Sequence, residues 1–198
     1  MKKSIIAAGA ASVALAAMPI VGAFAVSNVT DTITATVDSG CVIDNATATN
    51  TVDLGTITPG EDVSSESGKA SSGITVTCNA TSWNVNAVGA SEGDHPSSMY
   101  TAGGAEIATG TATSGDTSAW MFKIAANSAT EEAVTPATGF ATWHVIPAPA
   151  AETGAATTVA VGSKAATATI IPTYRVYASS SQATGSYTGK VTYNVSSN

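Results

Sequence analysis

Apolar residues recur at every second position through much of this 198-residue chain, and that period predicts strands. Ile74, Val76 and Cys78 alternate with Thr75 and Thr77, and Trp83, Val85 and Ala87 with Asn84 and Asn86. Trp120, Phe122 and Ile124 alternate with Met121 and Lys123. Tyr187, Val191, Tyr193 and Val195 form a closing row opposite Thr188, Lys190, Thr192 and Asn194. Val29, Ile33, Ala35 and Val37 form an opening row opposite Thr30, Thr32, Thr34 and Thr36. Stretches 140–146 and 174–177, aromatic and β-branched, read as further strands. Successive strand side chains point to opposite faces, so each segment is expected to bury one row and wet the other. Threonine suits the wet row, because its β-branch fits a pleated backbone while its hydroxyl meets water.

Turn chemistry separates these runs at Thr58-Pro59-Gly60, Ser71-Ser72-Gly73, Gly103-Gly104, Ser114-Gly115-Asp116 and Ala183-Thr184-Gly185. Short strands divided by turns predict an all-β, two-sheet sandwich, with an up-and-down barrel as the architectural alternative. Segments 89–118 and 147–166, rich in glycine and alanine, read as long loops at the sandwich ends that could hold short edge strands.

The first 25 residues read as a cleaved signal peptide. Lys2 and Lys3 precede an apolar run from Ile5 to Phe24, which closes on Ala23-Phe24-Ala25, a small-x-small cleavage pattern. An uncleaved membrane anchor is the alternative, but Pro19 and Gly22 break the run and no basic stop-transfer flank follows it. The expected product is a secreted bacterial cell-surface protein, residues 26–198, of a length that suits one domain. It keeps five of the seven basic residues against 14 acids, a net charge of −9. That acidity provides no footprint for nucleic acid and would be repelled by anionic lipid headgroups.

Two cysteines in an exported chain are expected to pair, so Cys41 and Cys78 predict one disulfide. Free thiols are disfavoured in an oxidising compartment, and two cysteines without a histidine cluster do not predict zinc.

Taken in order, several elements resemble the spore coat protein U and archaic pilin family. A Thr/Val-rich strand runs into a cysteine over Thr34-Ala35-Thr36-Val37-Asp38-Ser39-Gly40-Cys41. A short strand with Val52-Asp53-Leu54-Gly55-Thr56 follows, then a Gly-Ile-Thr-Val-Thr-Cys strand from Gly73 to Cys78. A tyrosine-bearing strand at 174–177 precedes a Gly-x-Tyr closing strand over 185–193. The order spans residues 29–195. Leu54 lacks the family's following phenylalanine, and Ser196-Ser197-Asn198 continue past the last strand. The resemblance implies an immunoglobulin-like sandwich that assembles by strand donation into pilus-like or coat-like polymers. In that reading Val29, Ile33, Ala35 and Val37 are the donor row; otherwise they belong to an ordinary first strand of a self-complete domain. Insertion in cis and insertion in trans are both open. The chain is also similar to the WxL domains of cell-wall surface proteins, through Trp83-Asn84-Val85 and Tyr193-Asn194-Val195, although neither is a true Trp-x-Leu. Expected partners are other copies of the chain or related surface subunits, or a cell-wall polymer or glycan.

Catalytic chemistry is not expected, and no cofactor or metal is implied. His95 sits in the turn-like Glu92-Gly93-Asp94-His95-Pro96 and His144 on a strand face in Trp143-His144-Val145, with no nucleophile elbow near either. Glu61-Asp62 and Asp38/Asp44 lack the spacing of a calcium loop. Trp83, Trp120 and Trp143 read as core residues; an exposed coplanar pair of them would instead indicate a carbohydrate-binding adhesin.

Overall fold

A computed structural model describes residues 34–44, 50–60, 68–89, 91–92, 95–111, 117–128, 134–148, 156–163 and 165–198. Residues 37–198 form one compact unit, and residues 34–36 belong to a separate unit spanning 1–36. The described residues contain strands and no helix. In chain order the strands are β1 (Cys41–Ile43), β2 (Lys69–Ala70), β3 (Ile74–Cys78), β4 (Trp83–Gly89), β5 (Ser91–Glu92), β6 (His95–Pro96) and β7 (Met99–Tyr100). They continue with β8 (Glu106–Ile107), β9 (Ala119–Ser128), β10 (Val134–Pro136), β11 (His144–Val145), β12 (Thr157–Gly162), β13 (Ala166–Tyr177) and β14 (Val191–Ser197).

Among the described residues all strand pairs are antiparallel, and the longer strands fall into two principal sheets. One sheet runs β1-β3-β13-β9-β11, with β2 pairing β13 beyond the end of β3. The other runs β10-β12-β4-β14. The short pairs β5-β6 and β7-β8 fill part of the segment read as a loop. The sheets enclose one hydrophobic core, with Ile74, Val76, Phe122, Ile170 and Val176 from the first and Trp83, Val85, Ala87 and Val159 from the second. The chain is therefore all-β and sandwich-like, stapled by the Cys41–Cys78 disulfide.

The alternation holds cleanly in β3 and β4, whose apolar rows are buried while Thr75, Thr77, Asn84 and Asn86 keep contact with water. Asn86 sits in a polar ladder across the wet face, donating to Asn194 and Ser196 and accepting from Thr158. Gly162 lies against Trp83, where even a Cβ would come within 1.9 Å of the indole, so a fully buried tryptophan requires glycine on the neighbouring strand.

Four expectations are corrected. Met121 is buried, not wet, as are Thr173, Arg175 and Tyr177 on the same outward face of β9 and β13. Trp143 covers part of this face: its ring lies 4.4 Å from the Arg175 guanidinium and 4.7 Å from the Lys123 ammonium, and its edge meets Gly68 at a positive φ of 64°. Second, the region read as the loop 147–166 contains β12, an interior strand between β10 and β4, and leads straight into a β13 twelve residues long. Third, residues 34–37 carry no strand and are exposed, although the opening row was expected to pack one face. Fourth, within 140–146 only β11 is strand, after a turn at 140–141 and a bend at Thr142.

Candidate functional site

One lateral side of the sandwich, the closed side, is lined by buried apolar residues, and the other, the open side, by half-buried ones on edge strands. On the closed side Val134 of β10, Phe140 and Ile146 are all buried. On the open side the edge strands are β1 and β14, which approach each other across the two sheets. Among the described residues β14 pairs with β4 alone and β1 with β3 alone. An edge strand presents a row of backbone N–H and C=O groups able to pair with another chain.

The side chains behind those edges are apolar and only half-buried. Val191, Tyr193 and Val195 point from β14 onto the core, while Trp83, Val85 and Ala87 of the adjoining β4 are fully buried. Cys41 and Ile43 do the same from β1. Beyond β1, residues 50–60 carry the same edge onward, with Leu54 and Ile57 packed on the core. Asn50 fixes one end of this segment by donating to the Gly73 carbonyl and accepting from Ser72, and the Gly60 N–H donates to Ala178 at the other. The result is an apolar seam flanked by two backbone edges.

Inside the seam the Tyr174 and Tyr193 hydroxyls are hydrogen-bonded at 2.9 Å, joining β13 to β14 across the core. Burial pushes Tyr174 up to about 12, against the opposing pull of its bond to Tyr193. Burial also raises Tyr193 well above the ordinary phenol value, and neighbouring Tyr174 adds to it. Both phenols are therefore neutral at ordinary pH, and the seam offers apolar contact and backbone pairing without side-chain charge in its wall.

The disulfide belongs to this site. It ties Cys41, first residue of a three-residue edge strand, to Cys78 directly opposite on β3. Asn79, the next residue, holds the chain leading into β1: its N–H donates to the Gly40 carbonyl, its Oδ1 accepts from the Gly40 N–H, and its Nδ2 donates to the Asp38 carbonyl. The spacing drew attention to the cysteines but gave no signal for Asn79, Asn50 or Ile57, whose roles depend on which segments become neighbours.

Of the expected donor row, Val29 and Ile33 lie outside the described residues; Ala35 is exposed and Val37 is 83% exposed. Of the closing row, Val191, Tyr193 and Val195 lie on β14, while Tyr187 precedes it, donating to the Ala183 carbonyl and accepting from Gln182. Trp83 and Trp120 are core residues, and Trp143 covers part of the outer face already described, so no exposed coplanar pair exists. Trp83 and Val85 of the WxL-like element are likewise buried in the core. His144 packs on Phe140 with ring centroids 4.2 Å apart, and His95 lies on β6. Asp44 accepts from Thr77; Glu61 and Asp62 lie outside the described residues, among which no metal-binding cluster occurs. No protein-family model, curated protein or solved structure matches this chain.

Proposed function

We propose that this chain is a secreted, non-catalytic bacterial surface subunit whose sandwich is completed by an extended segment laid along the seam between β14 and β1. The segment that fits is residues 26–37 of a neighbouring copy. The observation that carries the reading is the half-buried row Val191, Tyr193 and Val195 on an edge strand, beside fully buried counterparts on β4. Strand order supports it. β1-β3-β13-β9 facing β4-β14 can be matched to A-B-E-D and C-F of an immunoglobulin-type sandwich, with β10 and β12 as additions to the second sheet, and in that analogy a last strand would lie along the free edge of β14. An added strand would satisfy the free edge and drive its alternate side chains into the seam. Ile33, Ala35 and Val37 have that spacing, with Val29 further along the same row beyond Asp31, and each fully buried Val or Ile would contribute roughly 1.5–3 kcal/mol. Residues 34–37, exposed and outside any strand, are available for the purpose.

The test is the oligomeric state of the exported chain against a version lacking residues 26–37. Concentration-dependent, SDS-resistant ladders that vanish on truncation are the expected result. A monomer at every concentration that unfolds when shortened would overturn the reading and make the segment an internal first strand.

A further inference from the structure

A donor segment tethered to its own acceptor has a large advantage. Intramolecular insertion proceeds at an effective concentration in the millimolar range unless geometry forbids it. A subunit that donates to its neighbour therefore needs a device that keeps its arm out of its own seam, and the chain just before β1 contains a candidate.

To enter its own seam, the arm would have to reverse direction before Cys41, and a tight reversal needs at least two residues of suitable turn chemistry. Thr36 and Val37 are β-branched and poorly suited to positive φ. Asp38, Ser39 and Gly40 supply the turn-forming residues. Yet residues 38–40 show neither turn nor bend, and Gly40 is not among the glycines at positive φ. A Cβ on Gly40 would meet nothing within 4 Å, so packing does not require glycine there either. What holds the run in line is Asn79, at 3.1 Å from N to the Gly40 carbonyl, 2.6 Å from Oδ1 to the Gly40 N–H and 3.1 Å from Nδ2 to the Asp38 carbonyl. These bonds extend the β1–β3 ladder past the disulfide and leave Val37 in solvent.

We infer that Asn79 is a positioning residue that clamps the Asp38-Ser39-Gly40 run against reversal, and so directs the N-terminal arm to a second copy of the chain instead of back into its own seam. The inference rests on the strand-acceptor reading above.

The test uses the chain expressed from its full sequence with a benzophenone-bearing residue in place of Ala35. Isotopically light and heavy preparations are unfolded together with the disulfide intact, refolded, and irradiated. In the native background about half the cross-links from position 35 to β14 should join light to heavy chains, the statistical share for donation between copies. Asn79→Ala should lower that mixed share several-fold in favour of same-chain cross-links, and Asn79→Asp, which keeps the acceptor but loses the bond to Asp38, should lower it less. Amide exchange of β4 confirms that each variant is folded; should Asn79→Ala fail that check, Asn79→Asp carries the comparison. An equal mixed share in native and variant chains, or same-chain cross-links in the native one, would overturn the inference. The absence of any cross-link to β14 would instead overturn the strand-acceptor reading, and the inference with it.

Discussion

The hydroxyls of Tyr174 and Tyr193 meet at 2.9 Å from opposite sheets, making a neutral polar tie in the apolar seam. Each phenol satisfies the other, so replacing one with phenylalanine leaves its partner's hydroxyl half-buried and unpaired. Tyr174→Phe and Tyr193→Phe should each cost about 1–2 kcal/mol in denaturant unfolding, and the double variant less than their sum.

The same pair predicts an alkaline transition. Both folded-state values are raised, so the folded chain holds these protons more tightly than the unfolded one. Their stabilising contribution is full below the unfolded value of 10 and is lost as pH rises through about 12, where Tyr174 ionises. Denaturation midpoints measured from pH 9 to 12 should fall more steeply for the native chain than for the double phenylalanine variant.

Cys41 and Cys78 close a loop of 37 residues in sequence separation, for which chain entropy predicts about 4 kcal/mol. Replacing both with serine should lower unfolding stability by roughly 3–4 kcal/mol. Because β1 is a three-residue edge strand, its amides should lose exchange protection well before those of β4.

Much of this architecture was legible in the period-two pattern, and the exceptions have physical causes. β3 and β4 read correctly because each has one core face and one wet face. Met121 read as wet because nothing beside it in the chain gave warning that Arg175, itself under Trp143, packs over that face of β9. β12 was missed because its register shifts between Thr158 and Ala160, so that Val159 and Ala160 are both buried and the alternation breaks. The start of β13 was missed because Ala166-Thr167-Ala168-Thr169 is weakly apolar, and only pairing with β3 and β9 makes it a central strand. The row on β14 was legible; its place at an open edge was not, since that depends on strand order.

Packing at Gly162 makes a separate, purely structural prediction. Gly162→Ala places a methyl against the indole of Trp83, which is fully buried and cannot retreat. The variant should lose about 3 kcal/mol of stability and show altered tryptophan fluorescence, without a change in the seam.

Residues on the seam should behave in the opposite way. Val195 is half-buried on an edge strand, so Val195→Lys should cost only about 1 kcal/mol in the isolated chain while abolishing SDS-resistant ladders. A comparable effect from Val161→Lys, on the outer face of β12, would show that charge alone disrupts assembly.

The most direct measurement is amide exchange of β14 in the exported chain, in a chain lacking residues 26–37, and in the shortened chain given the 26–37 peptide. The account predicts that truncation removes protection from β14 while β4 stays protected, and that the peptide restores it. Equal protection of β14 with and without the segment would contradict strand addition at this edge.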